Sequence, residues 1–166
     1  MITNQIQNLR SQIKSLIILF IIGIMLSGIT AFPIESQLAV VHQLILSSGI
    51  DNLFTQWIEL VYSGVRETNS RFPFMGYGTD WLAFAHIVIG LAFIGPLRDP
   101  VKNIWIIEWS MISCIAVFPL AFIAGAIRGI PFWWQLIDCS FGIFGGLLLG
   151  YLYRKIKSLE KLQTQS

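Results

Sequence analysis

Asp138 is a carboxylate well inside the apolar segment 132–153 of this 166-residue sequence. A charged side chain at the centre of a membrane-spanning helix costs about 2.5–3.5 kcal/mol, so such a residue is expected to have a partner or a task. Gly142, Gly146 and Gly150 follow it at four-residue steps and lie on the same helical face. Small residues at this spacing let a second helix approach closely. We therefore expect Asp138 to lie at one end of a helix–helix interface and not to face lipid.

Four more polar side chains are predicted to lie near Asp138, at the same end of the spans. His86 and Asp138 both lie roughly 10 Å along their predicted spans, at 1.5 Å per residue. Asp80 and Arg128 lie at the boundary itself, and Gln135 precedes Asp138 by about one turn. Because an ionisable residue inside the membrane marks a functional site by default, the five predict an outward-facing polar pocket. The alternative is structural, with Asp138 hydrogen-bonded across helices and Asp80 a plain helix cap.

A smaller polar group lies at the opposite ends of the predicted spans. Glu108 is roughly 6 Å inside its span, and Arg98, Asp99 and Lys102 lie on the adjoining turn. An ion pair that holds this turn is one interpretation. The other is a proton path, because Glu108 and Asp138 are acids at opposite depths.

The sequence has none of the usual signatures of catalysis or of nucleotide and metal binding. GxGxxG, GxxxxGK[ST], HExxH and GxSxG do not occur. Cys114 and Cys139 lie in apolar segments without CxxC spacing, which is typical of buried thiols. His42 and His86 lack the matched depth that a bis-histidine haem requires. We expect no metal and no cofactor. The absence of a recognisable catalytic constellation favours a protein that is not an enzyme, and enzymatic activity stays open.

The composition is that of a protein that lives in lipid. Hydrophobic residues make up 55% of the chain and charged residues 12%, with a mean hydropathy of +0.70. A soluble domain carries about 25% charged residues, so too little polar surface remains here to cover a soluble fold. The sequence predicts an all-α polytopic membrane protein. Its net charge of only +2 is too small to indicate that it binds nucleic acid.

Four apolar segments are long enough to cross a hydrocarbon core of about 30 Å. They are 15–32, 81–97, 104–127 and 132–153. Asp80 is expected to cap the second span and Pro119 to kink the third. Turns are predicted at 98–103 and 128–131, and the spans together are expected to form a single membrane domain.

The stretch 33–80 between the first two spans is predicted to lie at the outer membrane surface. Apolar residues recur at helical spacing in 36–48 and in 52–66, which predicts two amphipathic interfacial helices. The stretch 66–80 has the polar, Pro- and Gly-containing composition of a loop.

The basic residues predict the orientation, because lysine and arginine collect on the cytoplasmic side. Both ends of the chain are basic: 1–14 is predicted to be an amphipathic lead-in on the membrane surface, and 154–166 a helical tail. With both termini cytoplasmic, the inner side holds Arg10, Lys14, Arg98, Lys102, Arg154, Lys155, Lys157 and Lys161. The outer side then holds only Arg66, Arg71 and Arg128. This pattern predicts a multi-pass protein with both termini in the cytoplasm.

The C-terminal half resembles a family of small uncharacterised integral membrane proteins of Bacteroidetes-type bacteria. The matching pieces are "RDP" at 98–100, Glu108, "RGIPFWW" at 128–134 and "IDCSFG" at 137–142. The resemblance covers about residues 77–155 and implies a bacterial envelope protein without implying an activity.

The chain also resembles the VanZ-like membrane proteins, an accessory family linked to glycopeptide resistance. Asp80 with His86 matches the start of one span in that family, and Arg128, Asp138 and Gly145 match a later one. The resemblance implies a shared fold and functional roles for these residues.

Three functions remain open at this point. The first is an outward-facing polar pocket that binds a lipid or a lipid-linked envelope component. The second is an accessory or assembly subunit of a larger membrane complex, or a homo-oligomer, because a glycine-lined helix face favours helix partners. The third is a small proton-linked carrier that uses Asp138, His86 and Glu108.

Overall fold

The computed structural model describes residues 2–164. These residues form seven α-helices and one short 3-10 turn, and no β-strand occurs among them. The helices are α1 (Ile2–Ala31), α2 (Ile34–Ser48), α3 (Leu53–Arg71), α4 (Gly76–Ala92), α5 (Ile94–Arg98), α6 (Ile104–Ile127) and α7 (Phe132–Thr164), with the 3-10 turn at Pro73–Met75. The all-α prediction is confirmed.

Four helical segments in residues 2–164 are long and apolar enough to cross a membrane. They are Asn4–Ala31, Pro73–Arg98, Ile104–Ile127 and Phe132–Thr164. Large apolar side chains such as Ile115 and Leu147 are 68% exposed, which is stable in lipid but costly in water. The chain is therefore a multi-pass membrane protein, as its composition predicts.

The contacts within the chain divide it into two compact units. The first unit holds the described residues up to Ile22 together with those from Gly90 onward, and the second holds Gly23–Ile89.

The first unit is built on a hairpin of α6 and α7. Gly142 lets the two helices approach, because a Cβ there would lie only 2.7 Å from the carbonyl oxygen of Cys114. The first part of α1 also belongs to this unit, where Ile13 and Ile17 are buried. Lys155 Nζ, on the extension of α7, donates a hydrogen bond of 2.7 Å to Gln12 Oε1 on α1. The buried core also includes Leu149, Leu152, Ile156 and Leu159 of α7 and Ile107 of α6.

Two turns close the ends of this hairpin unit. At one end, Gly129 takes a φ of 68°, and the backbone N–H of Ile130 donates to the carbonyl of Gly125 at 2.9 Å, which is typical of a glycine-terminated helix. At the other end, Asn103 Nδ2 donates to the carbonyls of Gly95 and Asp99, at 3.1 and 2.8 Å. The predicted turns at 98–103 and 128–131 are thus present.

The second unit pairs α2 with α3 and joins them to the end of α1 and the start of α4. Asn52 caps α3, because its side chain accepts from the N–H of Thr55 while the Thr55 hydroxyl accepts from the N–H of Asn52, a capping box. Gly28 of α1 touches α4 closely, since a Cβ there would lie 2.7 Å from both the Ala83 carbonyl oxygen and His86 Cβ. The two amphipathic helices predicted between the first spans are confirmed as helices.

The predicted loop at 66–80 is wrong. The helix α3 continues to Arg71, supported by a Glu67–Arg71 ion pair one turn apart at 3.3 Å. It ends there because the residue before Pro73 is kept out of helical geometry, and Phe72 has a φ of −137°. The glycines of 76–80, which resemble loop residues in the sequence, form the first turn of α4 instead.

Two further expectations change for related reasons. Asp80 is not the cap of the second span, because α4 begins at Gly76 and Asp80 lies inside the helix. The stretch 2–14 is not a separate surface element, because α1 runs unbroken from Ile2 to Ala31. No proline or glycine interrupts the first turns of α1, and burial of Ile13 and Ile17 in the first unit holds its two parts in one helix.

Candidate functional site

Gln135 has a structural position at the turn between α6 and α7. Its side chain is only 7% exposed, and its Nε2 donates to the carbonyl oxygen of Ile130 at 2.8 Å. A Cβ on Gly125 would lie 2.7 Å from Gln135 Cδ, so the amide fills the space that this glycine leaves open. The amide group thus closes the turn, and its donor is directed at the backbone rather than at a ligand.

Asp138 and Arg128 lie on either side of Gln135 along the chain, and their side chains differ from it in having no bonded partner among the described residues. Asp138 is partly buried and Arg128 is exposed. Within residues 2–164 the side chains of both form no hydrogen bond or ion pair. The described residues therefore do not form the interhelical hydrogen bond to Asp138 that the structural alternative requires.

The glycine face below Asp138 is only partly an interface. Gly142 is in tight contact with α6, and Gly145 is also close, with an added Cβ 3.1 Å from Cys114 Sγ. At Gly146 an added Cβ would make ordinary contact, at 3.8 Å from Cys114 Cβ, and at Gly150 it would meet nothing within 4 Å. The structure thus places Gly142 in a helix–helix contact, whereas an added Cβ at Gly150 meets no neighbour in residues 2–164.

His86 and Asp80 both lie on α4 in the second unit. The Nδ1 of His86 lies 2.8 Å from the carbonyl oxygen of Leu82. Because a carbonyl only accepts, the ring donates from Nδ1, and Nε2 remains free to accept in the neutral ring. Asp80 is exposed and lines the cavity described next. The five predicted pocket residues are therefore divided between the two units.

The second unit has a groove that lies among the end of α1, the start of α2, α3, the 3-10 turn and the start of α4. Its volume is about 1090 Å³, which is at the upper end of ordinary ligand pockets. Its apolar lining includes Phe32, Leu60, Val61, Val65, Phe74, Met75 and Tyr77. Its polar lining includes Glu35, Thr68, Asn69 and Asp80. We call this feature the α2–α4 groove.

The charged groups of the α2–α4 groove are two carboxylates, which only accept hydrogen bonds when ionised. Asn69 Nδ2 donates to Glu35 Oε2 at 2.7 Å, which fixes that carboxylate between α2 and α3. The second carboxylate, Asp80, has no hydrogen-bond or ion-pair partner in the part of the chain that the structure describes. Two carboxylates beside apolar walls suit a ligand that brings hydroxyl or ammonium donors and hydrocarbon together.

Sequence reasoning placed Asp80 in a pocket with His86 and Asp138, whereas the structure places it on this groove, and it missed Glu35 and Asn69. Glu35 stands in the first turn of α2, and Asn69 lies 34 positions later, in the stretch predicted to be a loop. No local signal in the sequence pointed to these two residues, because they meet only when α2 and α3 pack together.

The inner-side polar residues divide into a turn and a surface acid. Asp99 holds its own turn, because its Oδ1 accepts from the N–H of Lys102 at 3.1 Å and its Oδ2 lies 3.7 Å from Lys102 Nζ. Glu108 is exposed and acts electrostatically on Lys157 of α7. Arg98 and Glu108 form no ion pair with each other in the part of the chain that the structure describes. The ion pair predicted for this turn is therefore present between Asp99 and Lys102, and Glu108 takes no part in it.

Neither unit presents a metal centre in the chain from 2 to 164, where no three His, Cys, Asp or Glu side chains come together in a way that could hold an ion. The chain matches no protein-family model, no curated protein and no solved structure. The resemblances noted from the sequence therefore stay predictions. The function rests on the geometry of the two units.

Proposed function

We propose that this protein binds a lipid or a lipid-linked envelope component in the α2–α4 groove. The observation that carries the proposal is the combination of a volume of about 1090 Å³ with apolar walls and two carboxylates. Phe74 is 70% exposed and Leu60 61% exposed on its lining, so an acyl or prenyl chain would bury surface there at about 25 cal/mol per Å².

The acidic groups suggest which end of the ligand they would contact. Glu35 is held by Asn69 and retains one carboxylate oxygen beyond that bond, and Asp80 is available as a second acceptor. Hydroxyl or ammonium groups of an amine-bearing or glycosylated headgroup complement these acceptors, whereas a bare phosphate would be repelled. The proposed setting is a bacterial inner membrane, with both termini cytoplasmic and the groove at the outer surface, and the family resemblances belong to the same proposal.

Filling the groove tests the proposal directly. Gly64 lines the groove, and a Cβ added there meets nothing within 4 Å, so Gly64→Leu adds a large side chain to the lining at a position where its Cβ has room. Gly78 is equally unobstructed, lies in α4 of the same unit and does not line the groove, which makes Gly78→Leu the matched control. The protein would be purified in mild detergent and its bound lipids quantified by mass spectrometry.

We expect wild type and Gly78→Leu to retain one lipid species that Gly64→Leu loses. Equal lipid content in all three would overturn the proposal. Recovery of a stoichiometric protein partner without any enriched lipid would favour the accessory-subunit function. Neither lipid nor partner, together with pH-gradient-dependent flux in proteoliposomes, would favour the carrier.

A further inference from the structure

A second, smaller cavity lies in the first unit, at the end of the α6–α7 hairpin away from Gly129. It has a volume of about 390 Å³ and is bounded by α1, the turn from α5 to α6 and the last turns of α7. Its lining includes the four cationic side chains Arg10, Lys14, Arg98 and Lys102, with Asp99 as the one acid. Four cations around one carboxylate give the cavity a strong positive charge.

The protein itself does not neutralise most of this charge. The Asp99 carboxylate is already bound by Lys102, whose backbone N–H donates to Oδ1 at 3.1 Å and whose Nζ lies 3.7 Å from Oδ2. Within residues 2–164, the side chains of Arg10, Lys14 and Arg98 have no hydrogen-bond or ion-pair partner. Like charges held close together repel and are stable where an anion is shared between them.

The floor of the cavity is apolar, which indicates what kind of anion fits. Leu97, Pro100 and Val101 are partly exposed on its lining, beside the buried Ile13 and Ile17. Cations above an apolar floor match an amphiphile that carries a phosphate on a glycerol or acyl body. A free phosphate ion would use only the cations and gain nothing from the apolar surface.

The cations are also placed on fixed backbone. Arg10 and Lys14 are one turn apart on the continuous α1, which Lys155 joins to α7 through Gln12. Arg98 precedes a turn that Asn103 closes with two hydrogen bonds. A prearranged site of this kind loses less entropy on binding than a flexible one.

We propose that this basic cavity binds the phosphate headgroup of an anionic membrane lipid, with Arg10, Lys14 and Arg98 as the phosphate ligands. Basic pockets between membrane helices are a recurrent place for such headgroups. The site is separate from the α2–α4 groove, which belongs to the other unit and carries acidic groups. Either site can exist without the other.

The test measures lipid-dependent thermal stabilisation of the full chain in a neutral detergent. Short-chain phosphatidylglycerol, phosphatidylcholine of the same acyl length and inorganic phosphate would each be titrated. The variant is the double substitution Lys14→Gln with Arg98→Gln, and the matched control is Lys161→Gln, an exposed lysine of α7 that does not line the cavity. Because Lys14 and Arg98 are exposed, we expect the double variant to fold with the wild-type Tm before lipid is added.

Phosphatidylglycerol is expected to raise the Tm of wild type and of Lys161→Gln with the same half-saturation. Each cation contributes about 1 kcal/mol toward an anionic lipid, so the double variant should need roughly 30-fold more phosphatidylglycerol. Phosphatidylcholine should not raise the Tm. Equal stabilisation by the two lipids, or an unchanged half-saturation in the double variant, would overturn the proposal. Stabilisation by inorganic phosphate that matches phosphatidylglycerol would assign the site to a soluble anion and would overturn it as well.

Discussion

Individual polar side chains in this membrane protein differ in whether the fold already uses them. Gln135 is buried, bonded to Ile130 and packed against Gly125, so its polar atoms serve the turn between α6 and α7. Asp138, one turn further along α7, has no such partner in residues 2–164. We therefore expect the Gln135 side chain to stabilise the fold and the Asp138 side chain not to.

Substitutions at these two positions should separate the roles. We expect Gln135→Ala to lower the free energy of unfolding by about 1–3 kcal/mol, because it leaves the Ile130 carbonyl without its donor and opens a void beside Gly125. Asp138→Asn keeps the shape of the side chain and removes a charge that has no partner in residues 2–164, so it should not lower the free energy of unfolding. Thermal unfolding in detergent measures both. If Asp138→Asn is the more destabilising of the two, the assignment of these roles is wrong.

At the scale of helices, the glycine face of α7 makes one close contact with the backbone of α6. Gly142 faces the backbone of Cys114 at a distance that a Cβ could not tolerate, whereas Gly146 has ordinary clearance and Gly150 has open space. The backbone of α6 cannot move away cheaply, since backbone atoms lack the freedom of a long side chain. The glycine face thus acts mainly through its first member.

Alanine at each glycine tests this gradient. Gly142→Ala should destabilise the protein by about 1–3 kcal/mol, because the two helices must separate to admit the methyl group. Gly150→Ala should be neutral or should stabilise by up to about 1 kcal/mol, since alanine is the better helix former and meets no neighbour. Chemical or thermal unfolding of both variants in the same detergent gives the comparison. Equal losses at the two positions would contradict the gradient.

For the molecule as a whole, the distribution of basic residues predicts its orientation in the membrane. Eight of the eleven basic residues are predicted on the side of the two termini, and retention of lysine and arginine on the cytoplasmic side is the general tendency. The basic cavity of the first unit adds a local reason, because anionic headgroups are abundant in the cytoplasmic leaflet.

Labelling of single cysteines gives the orientation. Ser47 at the end of α2 and Ser158 on α7 are both exposed. In a background in which Cys114 and Cys139 are replaced by alanine, we expect a membrane-impermeant maleimide to label Ser47→Cys but not Ser158→Cys in intact cells. The reverse pattern would mean that the termini face outward. Labelling of both after membrane disruption is the control for accessibility.

The sequence by itself determined the features that depend only on residues close together along the chain. The apolar lengths of the spans, the bounds 104–127 of the third span and the turns around it follow from local hydropathy and from glycine and proline chemistry, which act over a few residues. Only the tertiary structure decided that Gln135 is consumed by a turn, that Gly142 and not Gly150 is the contact point, and that Glu35 and Asn69 meet across 34 positions. The same holds for the unpartnered cations of the basic cavity, which come from separate helices. The physical reason is that packing depends on which distant surfaces approach each other, and a single sequence carries no local signal of that pairing.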